Sequence, residues 1–392
     1  MNERPKILIV DDEPFNVDYL EQELEESDWD TLSAVNGREA LEKVALESPD
    51  LVLLDIMMPV MDGFEVLSRM KGDSATRGIP VIVISASNDL KSVVRGIALG
   101  AEDYLPKPFV PSLLFARISS CLEKKRLRDL EQVYLKGLER EMDIAREIQL
   151  GFLPAELPEV KGWEFAAFFK AAKEVAGDFY DAFELPDGNV AFCVGDVCGK
   201  GVGAALFMTL VRSLIRATAT SDIRRGEKDM KELTPAERLQ HVVSFTNGYI
   251  STTHGDANMF ATVFIGIVDA ATGKLTYCNC GNEAALVVRK SEVIAVLKPT
   301  GPVVGIIEEA VFGVREIELE EGDVLAAYTD GIPDALNGEG TAYGKARLTE
   351  SLEEGQTSAA GVVEKVKEGV CAFIGGADPF DDITLMVVKK NP

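Results

Sequence analysis

Three runs near the start of the chain, "KILIVDDE", "DLVLLDI" and "IPVIVISAS", are apolar at successive positions rather than at every second one. A strand with one solvated face alternates apolar and polar residues; an uninterrupted apolar strand must be covered on both faces. With "DTLSAV" and "DYLPKP" they make five strand-like runs separated by amphipathic segments. Five β/α units over residues 1–122 predict a doubly wound parallel sheet, with its ligands gathered at the carboxyl ends of the strands. Those ends are polar: Asp11 and Asp12 after the first run, Asp55 at the third, Ser85 at the fourth and Lys107 at the fifth. Carboxylates converging from two strands suit a hard cation such as Mg²⁺. A lysine and a hydroxyl beside them suit phosphoryl oxygens.

The segments "LIVDDE", "LVLLDIMMPVMDGFE", "VISAS" and "YLPKPF" resemble those of response-regulator receiver domains, α/β domains of flavodoxin-like fold with a five-stranded parallel sheet. The resemblance implies that Asp55 accepts a phosphoryl group from a sensor histidine kinase. It also implies one Mg²⁺ held by Asp11, Asp12, Asp55 and the carbonyl of Met57. Ser85 and Lys107 would contact the phosphate, with Tyr104 as the aromatic switch.

A helical pattern follows, "LRDLEQVYLKGLEREMDIAREIQLGFLP", with a seam through Leu127, Leu130, Tyr134, Leu138, Met142, Ala145, Gln149 and Phe152. The steps average about 3.6, close to a straight helix, with one extra step of four that reads as a stutter. A lone helix has nothing to cover such a stripe, so residues 127–152 are expected to pair in a homodimer. A helix packed back on its own domains is the other reading. Gly137 is a candidate hinge, and Pro154 and Pro158 are expected to end the element. The connector is placed at residues 123–153.

From residue 154 to 392 the pattern becomes short strands and turns, including "NVAFCVGDV", "MFATVFIGIVDAATGKLTYCNCGN" and "DVLAAYTDG", interrupted by helical stretches near 201–220 and 235–252. This predicts antiparallel sheets flanked by helices. Within "FCVGDVCGKGVG", strand alternation puts Val190, Phe192, Val194 and Asp196 on one face and Ala191, Cys193 and Gly195 on the other. Cys193 and Cys198 therefore read as packing residues, and the GxGxG spacing lacks the βαβ setting of a dinucleotide turn. The chemistry falls to carboxylates, since the chain has two histidines and six scattered cysteines. Asp178, Asp196, Asp330 and the pair Asp381–Asp382 each sit at the edge of an apolar run, where a charge needs compensation. Such acids suit two divalent cations bridged by water, an arrangement that promotes phosphoryl displacement.

"AGDFYD", "DVCGKGVGAAL", "CNCGNEAALVV", "GPVVGI", "LEEGDVLAAYTDGIPDALN", "YGKARL" and "DDITLMVV" resemble the SpoIIE/RsbU-type branch of the PP2C-like serine/threonine phosphatases, of α+β sandwich fold. The resemblance implies that Asp178, Asp196, Asp330, Asp381 and the carbonyl of Val197 hold two Mn²⁺ or Mg²⁺ ions. Asp381 is preferred to Asp382 as the first residue of the final motif. Ala176 stands where the family has glycine, and "CGNEAAL" where it has a histidine and prolines; both bear on substrate choice more than on metal binding. The expected function is a response regulator that dephosphorylates a phosphoserine or phosphothreonine protein, an anti-sigma-factor antagonist by resemblance, under control of Asp55. The alternative is a phosphatase-like scaffold that binds its partner without turnover.

Charge and hydropathy narrow the field. A formal net charge of −25, from 65 acidic and 40 basic residues, opposes a phosphate backbone, and the short basic stretch "EKKRLRDLE" reads as a solvated helix face. No nucleic-acid partner is expected. No run matches the ~20 apolar residues of a membrane span, and the first residues lack the order of a signal peptide, so a cytoplasmic protein without a membrane partner is expected.

Overall fold

The computed structural model describes residues 4–86, 90–221, 233–355 and 357–391. Two compact units divide the chain, residues 1–138 and 139–392.

The first unit carries β1 (Lys6–Val10), β2 (Asp30–Ala34), β3 (Leu51–Asp55), β4 (Val81–Ala86) and β5 (Asp103–Lys107), all parallel in the order β2-β1-β3-β4-β5. Between them run α1 (Pro14–Leu24), α2 (Gly37–Glu47), α3 (Gly63–Gly72) and α4 (Leu90–Ala98), followed by α5 (Pro111–Leu150). The unbroken apolar runs have a direct explanation. Leu8, Val10, Val52, Leu54, Val81 and Val83 pack on one face with Val44, Leu67 and Met70 of α2 and α3. Ile7, Ile9, Leu51, Leu53, Ile82 and Ile84 pack on the other with Leu20 of α1 and Leu114 and Ile118 of α5. Both faces are core, as the apolar pattern requires.

Helix α5 differs from expectation in its length. The last helix of the first unit and the helix expected after it form one element of 40 residues, and it ends before Gly151, short of the two prolines. The seam divides in character. Leu127, Leu130 and Tyr134 are well exposed, whereas Met142 and Ala145 are half-buried and Gln149 is buried. The last turns of the helix belong to the second unit and pack within it, the reading given less weight for the seam as a whole.

The second unit is a four-layer sandwich. One antiparallel sheet, in the order β13-β10-β9-β8-β7, contains β7 (Phe179–Glu184), β8 (Val190–Val197), β9 (Ala261–Val268), β10 (Lys274–Cys280) and β13 (Arg315–Glu318). The other, β12-β11-β14-β15-β6, contains β6 (Trp163–Lys170), β11 (Ala285–Arg289), β12 (Glu292–Leu297), β14 (Val324–Tyr328) and β15 (Ile383–Lys390). Phe192, Val194, Phe264 and Leu275 of the first sheet meet Val287, Leu325, Met386 and Val388 of the second in the central core. Outside the first sheet lie α6 (Val202–Thr220) and α7 (Pro235–His254); outside the second lie α8 (Gly344–Glu353) and α9 (Ala359–Ile374). The turn in "DAATGKL" is the β9–β10 hairpin, closed by the Asp269 carboxylate accepting from the Ala271 and Thr272 amides. By length and composition α6 is the one helix among the described residues apolar enough to cross a membrane, which the sequence reading passed over. Its apolar side is taken up in the domain core, where Met208, Val211 and Ile215 pack with Leu239 and Val242 of α7.

Candidate functional site

Two carboxylate clusters stand at strand ends, one in each unit. In the first, the β1 and β3 ends bring Asp11, Asp12 and Asp55 together, with ligand oxygens all within 4.8 Å of one another. Asp11 and Asp55 are buried. Lys107 Nζ, at the end of β5, lies 2.9 Å from Asp11 Oδ2 and 2.9 Å from Asp55 Oδ1. Asp55 Oδ2 accepts the Met57 amide at 3.2 Å, while Asp11 Oδ1 accepts from the Glu13 amide and Asn16 Nδ2. Burial pushes the Asp55 carboxyl upward, and Lys107 opposes the shift. A cavity of about 230 Å³ is lined by Asp12, Glu13, Asp55, Met57, Ser85 and Lys107. Ser85 Oγ is buried there with no hydrogen-bond partner among the described residues, an orphan that a phosphoryl oxygen would satisfy. Tyr104 lies half-buried with the Arg117 guanidinium 5.0 Å from its ring centroid. The oxygen-only donors fit a hard cation.

In the second unit four acids converge from separate strand ends. Asp178 precedes β7, Asp196 lies near the end of β8, Asp330 follows β14 and Asp381 precedes β15. Asp178 Oδ2 accepts from Thr329 Oγ1 at 2.7 Å and Thr384 Oγ1 at 2.6 Å. Burial, then the nearby Asp196, hold its carboxyl well above the usual range. Asp196 is pushed to about 7, first by burial and then by the charges of Asp330, Asp381 and Asp382. Asp330 is raised by burial and by Asp381, Asp334 and Glu283. Acids crowded into mutual repulsion, with oxygen donors and no imidazole or thiolate among them, fit divalent hard cations that would compensate their charge. No three of these acids converge as closely as the first cluster does.

Asp382 does different work from its neighbour. Its two oxygens accept the Ala172 and Gly177 amides, both at 2.7 Å, so this carboxylate is spent on tying the 172–177 loop to β15. Asp381 has one oxygen on the Asp382 amide and the other 3.0 Å from Lys200 Nζ. Gly177 passes so close to the Val197 carbonyl that a β-carbon on it would sit 2.7 Å from that oxygen. A β-carbon on Gly331 would overlap the Asp382 carbonyl oxygen. Alternation along β8 is kept: Ala191 and Cys193 pack in the outer core, Phe192 and Val194 in the central one. Burial drives the Cys193 thiol far up, as befits an inert packing residue.

Several participants were not singled out from sequence. Thr329 and Thr384 adjoin the acidic motifs, but their meeting on Asp178 joins residues 151 and 206 positions distant. Gln149 was noted only as a polar break in the seam. Its Nε2 donates to the Ala176 carbonyl at 2.6 Å and its Oε1 accepts the Ala176 amide at 2.9 Å, so the end of α5 clasps the loop that presents Asp178. Asn282, within the divergent "CGNEAAL", is buried and donates from Nδ2 to the Tyr328 carbonyl at 3.0 Å, fixing the chain just before Asp330.

Residues 186–391 match the family model of Stage II sporulation protein E (SpoIIE), and residues 7–119 match that of the response regulator receiver domain. Protein IcfG of Synechocystis sp. is 37% identical over 264 residues, 64% of this chain and 42% of that protein. The alkaline phosphatase synthesis transcriptional regulatory protein PhoP of Bacillus subtilis is 38% identical over 122 residues, 31% of this chain and 50% of that protein. The chain thus spans half or less of the length of these curated relatives. Among solved structures, the SiaA-PP2C domain of Pseudomonas aeruginosa superposes with a TM-score of 0.55 at 21% identity, covering 65% of this chain and 98% of that one, a likeness of fold.

Proposed function

The chain belongs to the SpoIIE family, and on that premise we propose a two-component response regulator whose output domain is a metal-dependent protein phosphatase. Its receiver domain is assigned to residues 1–122, its connector to 123–153 and its phosphatase domain to 154–392. Asp55 takes a phosphoryl group from a sensor histidine kinase, with Mg²⁺ held by Asp11, Asp12, Asp55 and the Met57 carbonyl. Lys107 and the Ser85 hydroxyl, which has no hydrogen-bond partner among the described residues, receive the phosphoryl oxygens, and Tyr104 responds to them.

In the output domain Asp178, Asp196, Asp330, Asp381 and the Val197 carbonyl hold two Mn²⁺ or Mg²⁺ ions. Ions so bound supply a water acidic enough to attack phosphorus and positive charge against the phosphoryl oxygens. Thr329 and Thr384 fix one oxygen of Asp178. Asp382 and Gln149 hold the loop behind it. The substrate is a phosphoserine or phosphothreonine protein, by family resemblance an anti-sigma-factor antagonist, encountered in the cytoplasm by a homodimer joined within residues 127–152 at the exposed part of that seam, Leu127, Leu130 and Tyr134.

The observation that carries the reading is the convergence of four separate strand-end acids on one another while a fifth, Asp382, is spent on backbone amides. A scaffold that only bound its partner would have no use for keeping all four. Mn²⁺-dependent release of phosphate from a phosphoprotein or 4-nitrophenyl phosphate tests it, with Asp196→Asn expected to abolish turnover in a folded protein. Absence of turnover in the unaltered chain would favour the scaffold.

A further inference from the structure

The turn after β8 carries Lys200 between two glycines, Gly199 and Gly201, whose φ angles of +91° and +80° lie in the left-handed region. L-residues with side chains seldom adopt it. The turn lets Lys200 reach the start of β15. Its Nζ donates to the Phe380 carbonyl oxygen at 2.7 Å, lies 3.0 Å from Asp381 Oδ2, and stands 4.8 Å from the Phe380 ring centroid. Among the described residues no other lysine or arginine comes within 4.0 Å of a carboxylate oxygen of Asp178, Asp196, Asp330 or Asp381. About a third of the Lys200 side chain remains exposed, so its position beside Asp381 is open to solvent.

A phosphate monoester entering this cluster brings further negative charge to a site walled by acids. Its non-bridging oxygens need donors that the carboxylates cannot provide once bound cations hold them ionised, since an ionised carboxylate only accepts. Lys200 has three N–H donors, of which the Phe380 carbonyl and Asp381 occupy two in this arrangement. The carbonyl anchors the ammonium beside Asp381 whatever else Asp381 binds.

We propose that Lys200 is the phosphate-contacting cation of this site, donating a charge-assisted hydrogen bond to a non-bridging oxygen of the substrate phosphoryl group and retaining the phosphate product by the same bond. The proposal rests on the phosphatase reading above. Lys200 takes no part in proton transfer; it positions the phosphoryl group and neutralises it.

The test uses the full chain loaded with Mn²⁺ and inorganic phosphate as the probe, its binding measured by calorimetry beside the KM and kcat for 4-nitrophenyl phosphate. Lys200→Ala is expected to weaken phosphate binding and raise KM by about tenfold or more, the effect of losing one hydrogen bond to a charged group. Mn²⁺ affinity should stay within a few-fold, and Lys200→Arg should restore most of the phosphate binding. Lys200→Met, which keeps the stem over Phe380, provides the measurement if the alanine variant melts early. Unchanged phosphate affinity together with tighter Mn²⁺ binding would mean that Lys200 merely neutralises Asp381, and would overturn the proposal while leaving the phosphatase reading intact. If the unaltered protein with Mn²⁺ neither hydrolyses the ester nor binds phosphate, the phosphatase reading falls and this proposal with it.

Discussion

Asp381 and Asp382 are chemically identical neighbours with opposite duties, and substitution should separate them. Asp382→Ala leaves the half-buried Ala172 amide and the buried Gly177 amide without acceptors; a fully buried orphan costs roughly 1–3 kcal/mol, so the Gly177 amide carries most of the loss. The variant's melting temperature should drop with or without metal. Asp381→Asn removes a half-exposed charge paired with Lys200, so the metal-free protein should melt nearly unchanged while stabilisation by Mn²⁺ is lost. Thermal melts in EDTA and in Mn²⁺ read both outcomes. The same cluster sets a pH dependence. Asp196 in the folded chain titrates at about 7, above its ordinary 3.8. A carboxyl raised on folding contributes stability at low pH that is lost as pH climbs through the folded value. In EDTA, stability should therefore fall between about pH 4 and 7, and saturating Mn²⁺, which requires the ionised form, should flatten or reverse the slope. How far the sequence reached at this scale follows from distance along the chain. Each acid was legible because it ends its own apolar run. The threonine hydroxyls on Asp178 were not, because nothing local to "YTDG" or "DDITL" tells which oxygen a hydroxyl will meet.

At the scale of elements the parallel strands were legible for a simple reason: burial on both faces leaves no polar position to confuse the pattern. The antiparallel strands were partly legible, since β8, β9 and β10 lie inside the sandwich while β12 and β13 are edge strands with exposed polar residues. Helix α5 was read with the right periodicity but as starting later than it does, because no glycine or proline between Pro111 and Leu127 marks where the seam joins it, and Gly137, within the seam, does not break the helix. The seam's polar Gln149 is the informative exception. It costs little on a helix, and its amide is a two-way match to the N–H and C=O of one residue, Ala176. Gln149→Ala should leave the buried Ala176 N–H and C=O without this partner, destabilise the domain by about 1–3 kcal/mol, and raise the Mn²⁺ concentration needed for half-maximal activity. Gln149→Glu, which retains the acceptor but not the donor, should fall between. An alanine variant with unaltered metal requirement would show that the clasp is structural alone.

For the whole molecule, phosphorylation of Asp55 is expected to alter phosphatase output. Acetyl phosphate should label the unaltered chain and not Asp55→Asn, and beryllofluoride should change the Mn²⁺-dependent rate only in the former. A tenfold change needs about 1.4 kcal/mol of differential stabilisation between two states, within reach of repacking a few apolar side chains. The unbroken course of α5 from Pro111 to Leu150 gives that expectation a torsional form. In a continuous α-helix each added residue advances the winding by about 100° and the length by about 1.5 Å. Two residues inserted beside Gly137 would turn Gln149 by roughly 200° relative to Pro111, whereas seven would return it to within about 20°. Seven-residue insertions should keep the response to beryllofluoride despite a longer span, and two-residue insertions should lose it. The helix would then behave as a drive shaft, indifferent to length and sensitive to phase.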